Sequence, residues 1–158
     1  MGKGMIAALF LAALVSKAHA SENCQHDAEV FRCVKYINNY DGDTLTVEIP
    51  GVHPLLGKKI SVRVLGIDTP EVKTKNTCEK DKARMARNLV EKLLKRSQKL
   101  ELHNIQRDKY FRILADVKVD GRSLSQVLLK NHLAVAYDGG TKARTNWCAV
   151  NATADIVP

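Results

Sequence analysis

A chain of 158 residues with 45% hydrophobic content has the length of one domain and enough apolar material for a core, which excludes a multidomain assembly and a coreless, disordered polymer. Its net charge of +8 attracts polyanions, including nucleic acid and anionic envelope surfaces, without choosing between them. Outside residues 5–15 no apolar run approaches the roughly 20 residues that span a bilayer.

The first segment reads as a targeting sequence. Lys3 gives a positive start, residues 5–15 (MIAALFLAALV) an apolar run, and Ala18-His19-Ala20 a small-x-small cleavage site. Residues 1–20 are therefore expected to be a signal peptide and 21–158 the mature domain, with its core over about 31–148. Cleavage removes Lys3 and Lys17 and no acid, so the mature chain stays basic, exported (periplasmic or secreted) and without a stable membrane anchor. Cys24, Cys33, Cys78 and Cys148 are an even set in an exported chain and lack zinc-knuckle spacing, so two disulfides are expected. Three connectivities are open; Cys24–Cys33 with Cys78–Cys148 is favoured, a local staple and a long-range tie.

Five strands follow from alternation and β-branched content, at 31–37, 44–49, 60–67, 100–105 and 113–119. A helix at 79–97 places Ala83, Ala86, Leu89, Val90, Leu93 and Leu94 on one face, with basic residues opposite. A second, at 124–131, begins with a Ser123/Gln126 capping-box pattern after the Asp120-Gly121 turn. The expected class is α+β, mainly β: an OB-fold-like five-stranded barrel with two packed helices.

Three segments carry chemistry: Tyr40-Asp41-Gly42-Asp43-Thr44, Arg63 through Asp68-Thr69-Pro70-Glu71, and Asp108-Lys109-Tyr110-Phe111-Arg112. Asp43 shares parity with Leu45 and Val47, so it points into the barrel end, where a carboxylate needs a cation or several donors. Asp41-Gly42 is equally a hairpin turn. Pro70 holds Thr69 extended and leaves its carbonyl as a candidate ligand. Oxygen ligands of this kind suit a hard divalent ion. Arg63 lies five residues before Asp68, which puts the two on opposite faces of a regular strand unless Gly66 breaks it. Arg112, at the start of the last strand, offers a planar fork for phosphate. Lys109, Tyr110 and Tyr137 are candidates for contacting phosphate or stacking on bases.

Taken jointly, these motifs resemble the staphylococcal nuclease (thermonuclease) family over roughly 34–147. The resemblance implies an OB-type barrel and an endonuclease that hydrolyses DNA and RNA with one Ca²⁺, cutting the 5′ P–O bond to leave 3′-phosphate ends. It assigns Asp43, Asp68 and the Thr69 carbonyl to the metal, with Asp41 behind them. Glu71 goes to the attacking water, and Arg63 and Arg112 to the phosphate. The expected partners are nucleic acid substrates, single strands preferred, bound by a monomer. Phe111 stands where the best-known members carry glycine, and no counterpart of the third helix of longer relatives is expected after Trp147. The rival expectation is an OB-like module that binds nucleic acid without cutting it; a structural envelope protein with an incidental basic surface is a third.

Overall fold

A computed structural model describes residues 24–108, 110–142 and 145–149. The expected signal peptide and Lys109 lie outside the described residues.

The described chain forms β1 (Val30–Phe31), β2 (Lys35–Asn39), β3 (Thr44–Glu48), α1 (Pro54–Gly57), β4 (Ile60–Val64), β5 (Ile67–Asp68), α2 (Thr77–Arg96), β6 (Leu100–Arg107), β7 (Ile113–Val119), β8 (Arg122–Ser123), α3 (Leu124–Lys130) and β9 (Val135–Ala136). The main sheet runs β1-β6-β7-β4-β3-β2, with β8 beside β7, and β5 pairs β9 in a separate ladder. The β4–β7 pair is parallel and the other pairs are antiparallel.

That order explains the curvature. β1 and β2 are the two outer edges of the sheet, yet only residues 32–34 separate them in sequence. One short stretch therefore serves both edges, and the sheet must curl until they approach. The Val34 N–H donates to the Leu100 carbonyl at 3.1 Å and helps seal the seam. The outcome is the expected OB-like α+β architecture, a partly closed barrel.

Two expected strands prove to be broken. The stretch expected at 31–37 divides because Cys33 adopts φ +53°, where it bonds to Cys24. The stretch expected at 60–67 ends at Val64, and Gly66 at φ +82° turns the chain into β5. Such a backbone costs glycine little. A third helix, α1, fills the connection between β3 and β4.

The interior is built from alternate strand residues, Leu45, Val47, Val62, Val64, Leu102, Ala115 and Val117, closed by Ala86, Leu89, Val90 and Leu94 of α2 and by Leu124 and Leu128 of α3. Asn76 caps α2, its Oδ1 accepting the Glu79 N–H at 3.2 Å, a contact of the kind that stabilises a helix by about 1 kcal/mol. The capping box expected at α3 does not form. The Ser123 hydroxyl turns instead to Asp116 Oδ1 (3.2 Å) and Ser125 Oγ (2.8 Å), because β8 places it beside β7 rather than over the helix end. Both favoured disulfides, Cys24–Cys33 and Cys78–Cys148, are formed.

Candidate active site

The Asp41-Gly42 turn and the Asp43 site are one device. Asp41 Oδ1 accepts the backbone N–H groups of Asp43 (3.0 Å) and Thr44 (2.7 Å), so Asp41 shapes the turn from behind. Asn39, also buried, donates Nδ2 to the carbonyls of Asp41 (2.7 Å) and Arg87 (3.1 Å), tying the turn to α2. A side chain on Gly42 would meet Ala86 Cβ and Thr69 Cγ2, both at 2.9 Å, so only glycine lets the turn, α2 and the 68–70 segment come this close.

Asp43 emerges at the mouth of β3 with 4% exposure. Its Oδ2 accepts both the N–H and the hydroxyl of Thr69, each at 2.8 Å, and pairs with Arg63 Nη1. That last contact is a charge pairing rather than an aligned hydrogen bond. Burial and then the neighbouring Asp41 charge push the Asp43 carboxyl up to about 7, against the opposing pull of Arg63 and Thr69.

Arg63 reaches Asp68 with its other nitrogen, Nη2 to Oδ1 at 3.0 Å. Regular strand parity forbids this pairing; the turn at Leu65-Gly66 supplies it by redirecting Asp68 after β4 has ended. One guanidinium thus spans the two carboxylates. Thr69 is buried and Glu71 exposed at the rim.

Arg112 stands just before β7, the strand that pairs with β4, and is positioned by the 108–112 turn. Asp108 Oδ1 accepts the backbone N–H groups of Tyr110 (2.8 Å) and Arg112 (2.9 Å), while Oδ2 accepts Arg112 Nε at 2.7 Å. Burial works against the Asp108 charge, but these bonds hold its carboxyl below the ordinary range. With Nε engaged, the Nη face of Arg112 is aimed by its own turn, and its guanidinium lies 5.4 Å from the Tyr110 ring centre. Phe111 is 80% exposed at φ +62°, a left-handed backbone that glycine adopts freely and phenylalanine does not.

Arg63, Asp43, Glu71, Tyr110, Arg112 and Tyr137 line one open cleft of about 820 Å³, together with Asp41. Asp68 joins it through Arg63. Three contributors were not singled out by the sequence reading. Asp108 aims Arg112, a role its place four residues before that arginine signals. Asn39 braces the turn. Lys142 enters from the loop after β9 and contacts Asp68 Oδ1 and Glu71 Oε1, each at 2.8 Å. Nothing in the spacing of Lys142 marks it.

The donors offered by Asp43, Asp68 and Thr69 are all oxygen, which fits a hard divalent ion and not a thiophilic one. Among the described residues no cluster of three or more His, Cys, Asp or Glu side chains forms a ready metal cage. Asp43, Asp68 and the Thr69 carbonyl are the oxygen donors that could hold such an ion, with water and ligand completing its shell.

A curled OB-like barrel with paired acids and guanidinium groups lining one open cleft defines an α+β domain suited to binding a phosphate. Comparison with known proteins places it more narrowly. The staphylococcal nuclease homologue family matches residues 61–154, and the chain belongs to that family. It is 44% identical over 101 residues to Endonuclease YncB of Bacillus subtilis (strain 168), covering 61% of this chain and 44% of that protein. It is 43% identical over 101 residues to the SPbeta prophage-derived endonuclease YokF of the same organism, covering 61% of this chain and 32% of that one. The alignment spans less than half of either relative.

Proposed function

We propose that the chain is an exported, Ca²⁺-dependent endonuclease that hydrolyses phosphodiesters of DNA and RNA with little sequence preference, acts on single strands preferentially as a monomer, and leaves 3′-phosphate ends. The observation that carries this reading is the Arg63 bridge between Asp43 and Asp68, in the same cleft as Glu71 and Arg112. The family membership and the names of the two Bacillus relatives support it. Export is supported by the apolar leader and by the two disulfides. Among the described residues no helix is long and apolar enough to cross a membrane.

Asp43, Asp68 and the Thr69 carbonyl would hold the ion. When bound, it supplies Lewis acidity at a phosphoryl oxygen and draws the substrate into place. The protein's own groups account for the rest. Arg63, on β4, and Arg112, just before the paired strand β7, donate to the phosphate and stabilise the charge that grows in the transition state. Glu71, at the rim, orients or deprotonates a water whose oxygen forms the new bond to phosphorus, while the bond to the 5′ oxygen breaks, that oxygen takes a proton from solvent, and the phosphate stays on the 3′ side. Tyr110 and Tyr137 line the cleft and offer rings to bases, and Lys109 is a further candidate for a neighbouring phosphate.

The test uses the oxidised chain from Ser21 with denatured DNA and RNA, with Ca²⁺ or chelator, beside Asp43→Ala and Arg112→Ala. Cleavage that requires Ca²⁺ and collapses in both variants supports the reading. Binding without cleavage under Ca²⁺, Mg²⁺ and Mn²⁺ overturns it in favour of a non-catalytic OB-like binding module.

A further inference from the structure

We propose that Lys142 is an internal counter-cation of the carboxylate site, whose ammonium competes with a divalent ion for Asp68 and so sets how tightly that ion is held. The inference rests on the metal-dependent reading of the site. Its basis is geometric: Lys142 Nζ lies 2.8 Å from Asp68 Oδ1 and 2.8 Å from Glu71 Oε1, between an acid assigned to the ion and the acid assigned to the water.

The same Asp68 oxygen already receives Arg63 Nη2 at 3.0 Å. A cation claiming that oxygen must displace one of two positive groups. Arg63 is buried and locked to Asp43 as well, whereas the Lys142 side chain is 47% exposed. Lys142 is therefore the group that yields.

The loop that carries it is anchored on both sides. Upstream, β9 pairs with β5 and the Tyr137 N–H donates to the Gly66 carbonyl at 3.0 Å. Downstream, Trp147 is buried and Cys148 is bonded to Cys78. Between these anchors lie Gly139, at φ +92°, and Gly140, whose carbonyl accepts the Tyr137 hydroxyl at 2.7 Å. Such an arrangement delivers to the acids an amine whose side chain stays half open to solvent. It offsets part of the charge of Asp68 and Glu71 while no ion is bound, and would then leave the amine beside the cleft, where a substrate phosphate would meet it.

The experiment is calorimetric titration of the oxidised chain from Ser21 with CaCl₂ in the absence of nucleic acid, comparing wild type with Lys142→Met and Lys142→Arg. Removing one positive charge from beside the ion should tighten Ca²⁺ binding by about tenfold in Lys142→Met. Lys142→Arg, which keeps the charge, should stay near wild type. Equal affinity in wild type and Lys142→Met, or weaker binding in the variant, overturns the role of Lys142 and leaves the metal-dependent reading standing. No Ca²⁺ binding by any of the three proteins overturns that reading, and this inference with it.

Discussion

Asp43 grips Thr69 twice, its Oδ2 accepting both the backbone N–H and the side-chain hydroxyl across 26 residues of sequence. A hydroxyl bonded to a buried carboxylate is charge-assisted. Thr69→Val keeps the shape and removes that donor, so it should cost about 1–3 kcal/mol, read as a lower midpoint in urea unfolding. An unchanged midpoint would mean that Oδ2 is satisfied by Arg63 and the backbone alone.

Asp43 also gives the protein a pH signature. Its carboxyl is raised in the folded chain to about 7, above the unfolded value of 3.8. The stability associated with the protonated group is complete below about pH 4 and is lost as pH rises through 7. A divalent ion prefers the carboxylate, so it should offset this loss. The rise in melting temperature on adding Ca²⁺ should be larger at pH 8 than at pH 5.5, measured by calorimetry with chelator as the reference. An equal rise at both values would place the ion away from Asp43.

Arg112 is aimed by Asp108, and activity should depend on that aim. Asp108→Asn keeps the turn's acceptor oxygen but removes the charge paired to Nε. Turnover on denatured DNA should fall by about tenfold or more through misplacement of the guanidinium, with the fold intact by circular dichroism. Full activity in this variant would show that Arg112 finds the phosphate without help.

Phe111 occupies left-handed backbone with its ring in solvent. Phe111→Gly should raise unfolding stability by about 0.5–1 kcal/mol, since the strain it relieves outweighs the entropy glycine adds. A loss of stability would mean that the ring makes contacts that hold the 108–112 turn.

Lys82, on the inner face of α2, has a buried Nζ without a hydrogen-bond partner among the described residues, and burial lowers its pKa. Charging it in place is unfavourable at neutral pH, and the penalty fades as pH rises past the depressed value. Lys82→Met should raise the melting temperature at pH 7, by an amount that corresponds to about 1 kcal/mol. A lower melting temperature would identify a hidden partner for the amine.

Much of the fold was legible because its signals are local. The alternation around Leu45, Val47, Val62, Val117 and Val119 marks strands whatever they pair with, and the apolar stripe of α2 marks a helix. The breaks at Cys33 and Gly66 were less visible, since a positive φ at a cysteine leaves no mark in the alternation of its neighbours. The short ladders β5–β9 and β7–β8 carry too few residues to show a period. At the site, the carboxylate and arginine motifs were readable as motifs. The convergence of Arg63 on Asp68 ran against parity and needed the turn to be seen. Lys142 was invisible for a different reason: a lone lysine in a polar loop carries no pattern, and only the anchoring of that loop brings it to the acids.

The Cys78–Cys148 bond has one more consequence. It closes the chain into a ring that contains Arg112, Lys142 and the exposed Tyr110-Phe111 pair, while Asp43, Arg63 and Asp68 lie outside it. A protease cutting once after either aromatic residue would open the ring without releasing a piece. The two halves of the cleft would stay covalently joined and would separate on a gel only after reduction. In a compartment rich in proteases, a single nick need not amount to dismantling.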